Sequence, residues 1–277
     1  MSDGTMILAV DCHVHLYQFS DLAGLLAAAV ANSRKACRNI AGMAWPADGR
    51  AVLPTLILAE PKGRDSFALM LELAATPENN VSGWRWRLGE DGLSVFAEGE
   101  DGATVLIISG QQVVTAERLE ILAIACRQDY EDGQSFTDTM CAIGHAAFPV
   151  LPWGVGKWLG RRRRLLASFI GQSKPNDFAL ADTSSRPALW PEPLFAAGNH
   201  NLTILRGTDP LPLTGQVEKT GTFGSLVAIP FDPGRPAASL LASLRGGSLN
   251  TVSFGQPDSC RAFFNAQMAL RWSRATG

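Results

Sequence analysis

The stretch Asp11-Cys12-His13-Val14-His15 places an acid and two imidazoles at i, i+2 and i+4, directly after the apolar run "MILAV". On an extended strand, side chains at this spacing point to one side, so Asp11, His13 and His15 are expected to face a common space. The chain holds only four histidines in 277 residues, which makes an H-x-H pair at a strand end an informative feature. Neutral imidazoles beside a carboxylate suit a divalent transition ion, namely zinc, manganese or iron. Incidental histidines on an exposed loop, or a satisfied buried pair, are the bland alternatives, and the strand directly before the pair favours the metal.

Further acids follow apolar runs. "LILAE" ends on Glu60, "DFALAD" on Asp182 and "TILRGTD" on Asp209. Each is a candidate ligand or catalytic carboxylate, although each also suits a helix N-cap. Asp209 precedes Pro210, which makes it the better metal candidate, with His13, His15 and Glu60 completing the expected ligand set. Asp11 and Asp182 are expected to orient a water or to support a histidine. His145 reads as a structural residue late in a helix, and His200 as a helix C-cap. In "PWGVGKW", Gly154 and Gly156 open the backbone beside Lys157, which is expected to meet a substrate anion. Trp153 is a candidate pocket wall, and Arg186 a second anion contact. The "RRRR" run from Arg161 to Arg164 reads as a solvated helix face, since consecutive helical residues point in different directions.

The elements that must carry these residues alternate. A first strand is followed by a helix through Leu22, Leu25, Leu26, Ala29 and Val30, with Ser20 as its expected cap. "AVLPTLILAE" is a strand and "RDSFALMLELAA" a helix capped by Asp65 or Ser66. Residues 82–109 read as a β-meander in which Trp84 and Trp86 alternate with Arg85 and Arg87. That alternation suits a half-buried strand better than a nucleic-acid stacking surface. "TAERLEILAIA" is ambiguous between strand and helix, and β/α units resume from "SFTDTMCAIGHAA" to the end. The expected fold is therefore α/β, a distorted TIM-like (β/α) barrel in one domain over residues 1–277, with the meander as an insertion.

Composition narrows the function classes. Hydrophobic residues make up 46% and charged residues 18%, which supports a large core, and a net charge of −2 argues against a basic nucleic-acid binder. Five scattered cysteines without C-x-x-C suggest reduced thiols in a cytoplasmic protein. No apolar run is long enough for a membrane span, and the acidic start argues against a signal peptide.

"AVDCHVHL" after a first strand, together with "ILRGTDPLPL", resembles the polymerase and histidinol phosphatase (PHP) hydrolases and the wider amidohydrolase-like metal barrels. The resemblance implies a distorted barrel, His13, His15 and Asp209 as metal ligands with Glu60 beside them, and hydrolysis of phosphate esters. Two positions depart from the family pattern. Pro152-Trp153 stands where a His-Pro step is usual, and Leu211 where a histidine two residues after the late aspartate is usual. With four histidines, one ion is expected rather than three. Metal-dependent phosphoester hydrolysis of a small anionic substrate is thus the leading expectation. A barrel that has lost catalysis and binds a ligand or protein, and an amidohydrolase cleaving C–N or C–O bonds, are the alternatives.

Overall fold

The computed structural model describes residues 4–39, 52–76, 80, 83–174, 176–196, 202–247 and 249–276. His200 lies outside them. The first strand, β1 (Thr5–Val14), is buried from Ile7 onward. A 3-10 turn over Phe19–Asp21 then leads into α1 (Leu22–Asn39), so Ser20 lies within that turn. Leu22, Leu25, Leu26, Ala29 and Val30 form the buried stripe of α1, as their spacing predicts. β2 (Val52–Leu58) continues almost at once into β3 (Glu60–Pro61), and α2 (Ser66–Ala75) is capped by the Asp65 carboxylate, which accepts from the Ala68 N–H.

The meander forms as β4 (Trp84–Leu88), β5 (Ser94–Gly99) and β6 (Thr104–Ile108), antiparallel throughout. Trp84 and Trp86 are buried while Arg85 and Arg87 are exposed, the pattern of a half-buried strand. β6 also pairs in parallel with β2, which ties the meander into the main sheet. The chain then runs through Ser109 into β7 (Gly110–Val114) and turns back as β8 (Glu120–Ile124), which resolves the ambiguous segment as strand. There follow α3 (Phe136–Ala146), β9 (Phe148–Pro152), α4 (Gly160–Gln172), β10 (Ala179–Thr183), the short α5 (Pro193–Ala196) and β11 (Ile204–Gly207). β12 (Gly224–Pro230), α6 (Pro236–Arg245), β13 (Thr251–Phe254) and α7 (Cys260–Thr276) complete the order.

The fold is mixed α/β, and its strands divide between two sheets. One has the order β13-β12-β1-β2-β6-β5-β4 and the other β11-β10-β9-β8-β7-β3. Among the described residues the strands do not form one closed ladder. The reason is local. A parallel pair needs a crossover of a dozen or more residues, whereas the chain between β7 and β8 reverses in a tight turn. That turn is closed by the Thr115 N–H donating to the Leu119 carbonyl at 2.8 Å, with Arg118 in the left-handed region at φ 62°. β7–β8 and β8–β9 are accordingly antiparallel.

The two sheets share a core that includes Val10 and Cys12 of β1, Ile57 of β2, Ile108 of β6, Ile124 of β8, Val150 of β9 and Ala181 of β10, with Leu240 and Leu244 of α6. They are joined where β2 runs into β3 and where β6 runs into β7. They meet again where β11 lies against β1. There the Asp209 N–H donates to the His13 carbonyl at 2.8 Å. A Cβ at Gly207 would stand 2.5 Å from the His13 backbone nitrogen and 2.7 Å from its Cβ, so a side chain at this position would force the strands apart.

Gly207→Ala should therefore destabilise the protein by about 1–3 kcal/mol, the usual cost of overpacking, read as a lower denaturant midpoint. Gly171→Ala provides the contrast, because that glycine lies near the end of α4 with nothing within 4 Å of an added Cβ. It should be neutral or stabilising by up to about 1 kcal/mol. Equal effects at the two positions would show that the β1–β11 approach is not tight.

Candidate metal centre

His13 lies in the last turn of the pleat of β1 and His15 just beyond its end, and their Nε2 atoms stand 3.0 Å apart. Asp209 follows β11, and its Oδ1 lies 3.6 Å from His13 Nε2 and 3.4 Å from His15 Nε2. Two segments nearly two hundred residues apart thus aim three donor atoms at one point. The ligand-capable atoms all lie within 4.8 Å of one another, and the group could hold a metal ion. Donors bound to one ion at about 2.0–2.2 Å stand roughly 2.8–3.6 Å from each other, the edges of an octahedron or tetrahedron. The three separations match that range closely, so the residues present fit a single ion.

The centre is closed on the strand side and open at Asp209. The side chains of His13, His15 and Asp209 are 1%, 7% and 22% exposed. Burial lowers the pKa of His13, against the pull of the Asp209 carboxylate, which favours the neutral imidazole that metal binding requires. Burial opposes ionisation of Asp209, but the neighbouring His13, His15 and Lys157 outweigh it and hold that carboxyl at about 2. Asp209 also has φ 48°, an unusual conformation for a residue other than glycine, which aspartate tolerates better than most. Its backbone hydrogen bond to His13 holds it there, and strain of this kind gathers at functional positions.

The remaining candidates divide. Asp11 is fully buried but does not face the imidazole nitrogens. Its Oδ1 accepts from the Thr208 N–H at 2.8 Å, and its Oδ2 from the Thr208 hydroxyl at 2.5 Å and the Gly221 N–H at 2.9 Å. Burial raises its pKa to about 6, although these donors favour the anion. Period-2 spacing fails to bring it to the centre because the ladder to β2 shifts register between Asp11 and Val14. Asp11 is therefore a clamp on the segment that carries Asp209, rather than a group facing a substrate.

Glu60 is not in the cluster. It accepts from the backbone N–H groups of Ser66 at 2.5 Å and Phe67 at 3.4 Å, at the start of α2, and burial raises its pKa. The capping role that competes for any acid at a strand end has taken it. Asp182 and Arg186 satisfy each other through a two-pronged ion pair at 2.6 and 2.7 Å, and Arg186 also donates to the Trp190 carbonyl at 2.6 Å. Asp182 is not left as a catalytic carboxylate, nor Arg186 as a free anion contact. Trp153 packs edge-on to Trp190 in the core and is 2% exposed, so it walls no pocket.

Lys157 does reach the centre. Its ammonium pairs with Glu120, and its charge acts on Asp209. Gly154 makes room for it, because a Cβ there would stand 2.7 Å from the Lys157 Cδ. His145 sits in the last turn of α3, with its Nε2 3.7 Å from the exposed Cys141 sulfur, and takes no part in the centre. Within the arginine run, Arg162 caps the Gly156 carbonyl, Arg163 pairs with Glu192, and Arg161 and Arg164 are exposed.

Two neighbours were not legible in the sequence. Gln112 places its Oε1 3.1 Å from His13 Nε2, and Glu120 lies beside it. The signal available was the adjacent pair Gln111-Gln112 in "GQQVV", a strand without an apolar run at its start.

No protein-family model matches the sequence, and no curated protein matches it. Among solved structures the chain is similar to PsfC from Pseudomonas syringae PB-5123, with a TM-score of 0.51, 14% identity, and 99% of each chain covered. At that identity the likeness is one of fold alone.

Proposed function

We propose that the chain is a metal-dependent hydrolase acting on a small anionic substrate, with a phosphate ester as the leading class. The observation that carries this reading is the convergence of His13, His15 and Asp209 at coordination distances. A bound zinc, manganese or iron ion would supply Lewis acidity, lowering the pKa of a water and polarising a phosphoryl oxygen. His13 and His15 would hold the ion through Nε2, and Asp209 would bring the one negative charge from the open side. Lys157 is the cation at this opening, and an anionic substrate would compete with Glu120 for its ammonium. Asp11 would keep Asp209 in register through Thr208. Kinship to PHP hydrolases belongs to this reading. It is supported by the H-x-H at the end of the first strand meeting Gly207-Thr208-Asp209. Two sheets that share one core and meet again at β1–β11 suit a strongly distorted barrel. A cytoplasmic setting is part of the same proposal.

A second reading, a scaffold that binds a ligand without turning it over, is favoured by the internal pairing of Glu120 with Lys157 and of Asp182 with Arg186. Those pairs leave few uncommitted acids or bases for proton transfer.

Metal content and turnover separate the two. The purified chain should retain about one transition ion. Retention should be lost in His13→Ala and Asp209→Ala and kept in His145→Ala. Glu60→Gln should also keep the ion while losing about 0.5–2 kcal/mol of stability, as for loss of a helix cap. Metal retained in Asp209→Ala, or lost in Glu60→Gln, would show the ligand set to be wrong. Turnover of phosphate esters over amides and lactones by the loaded protein supports the phosphoesterase, and binding without turnover supports the scaffold. Lys157→Met should weaken inorganic phosphate binding to the loaded protein by about 1.5–3 kcal/mol, the range for charge-assisted hydrogen bonds, without changing metal content. Equal phosphate affinities would place anion recognition elsewhere.

A further inference from the structure

We infer that Gln112 is a fourth donor of this metal centre, through its side-chain oxygen, and that the Glu120–Lys157 pair fixes the amide in the orientation that makes it one. The inference rests on the metal reading of His13, His15 and Asp209 and adds to it a ligand and the device that aims it.

The hairpin register generates the arrangement. Val114 of β7 pairs with Glu120 of β8, and Gln112 lies two residues earlier on the same face of β7. Gln112 and Glu120 are thus diagonal cross-strand neighbours, a separation that long side chains bridge. The Gln112 Nε2 donates to Glu120 Oε1 at 3.4 Å, and the Gln112 Oε1 lies 3.1 Å from His13 Nε2. An ionised carboxylate only accepts hydrogen bonds. Reversing the amide would press its oxygen against that carboxylate and turn an N–H group toward the ion's position. Glu120 therefore selects the orientation with the oxygen inward.

Lys157 holds Glu120 in turn, by pairing with the same carboxylate oxygen. This pairing also offsets part of the charge of Glu120, whereas the Asp209 carboxylate faces the two imidazoles. Two imidazoles, one amide oxygen and one carboxylate would leave a divalent ion with a net positive charge, which suits attraction of an anion. The 3.1 Å separation lies on the same roughly 2.8–3.6 Å edge scale as the other three donor pairs. The Nδ1 atoms of His13 and His15 are buried, and among the described residues neither has a hydrogen-bond partner. The orientation of the centre must then come from its Nε2 side, where Gln112 is the remaining neutral contact.

The test is metal affinity and the spectrum of the cobalt(II)-loaded protein, which report coordination without reference to turnover. Chelator competition with zinc should show Gln112→Ala weaker than the native chain by about tenfold to a hundredfold, with a changed cobalt absorption band. Gln112→Leu, which keeps a side chain of similar size but carries no oxygen donor, should weaken binding as much as Gln112→Ala. Melting curves identify a variant that fails to fold, and if Gln112→Ala does so, the Gln112→Leu affinity decides alone. Native affinity and an unchanged band in either variant that folds would overturn the assignment while leaving the three-ligand centre intact. Failure of the native chain to bind zinc or cobalt at all would overturn the three-ligand centre and this inference together.

Discussion

The approach of β11 to β1 is the contact on which the candidate centre depends. No continuous ladder joins these strands, so their contact rests on three local devices. Gly207 lets the backbones come close, Asp209 donates its N–H to the His13 carbonyl, and the buried Asp11 carboxylate gathers the Thr208 and Gly221 donors. A buried carboxylate that accepts several hydrogen bonds is costly to disturb, because each abandoned donor costs about 1–3 kcal/mol in the interior. The same clamp sets the position of Asp209, one residue beyond Thr208. Stability of the seam and geometry of the centre are one property of this structure.

A tight hairpin on the other sheet supplies the opposite wall. Because β7 and β8 are joined by a short turn, their register is fixed, and with it the placement of Gln112 and Glu120 near His13. Lys157 arrives from the turn after β9 and completes a row of paired charges. The centre thus lies between the two sheets, with the imidazoles from one and the amide, carboxylate and ammonium from the other. Buried ion pairs away from it, such as Asp182 with Arg186, are internally satisfied and hold the ends of β10 and the following loop.

Competition between two uses of an acid explains where the sequence reading succeeded and failed. Glu60, Asp182 and Asp209 each follow an apolar run, and nothing local distinguishes them. Glu60 meets the free N–H groups of α2, and Asp182 meets an arginine four residues on. Asp209, followed by proline, has neither a helix start nor a local cation beside it, and its oxygen is left to face the histidines. Trp153 and Trp158 followed the ordinary fate of large aromatic side chains near a core and packed inside.

The sequence by itself determined most helices and the strands with long apolar runs, while β7 and β13 went unread and β8 stayed ambiguous. Period-3.6 stripes made α1, alternation made β4, and His13 and His15 shared a neighbourhood because two residues on one strand cannot be far apart. Only the tertiary structure decided that the strands divide between two sheets, that Asp11 serves the seam rather than the centre, and that Gln112 and Glu120 stand beside His13. The reason is range. Local spacing and capping act within a few residues, whereas the partners of Asp11, Gln112 and Asp209 lie about one to two hundred residues away. Their meeting is set by strand register and by one glycine small enough to let two backbones touch.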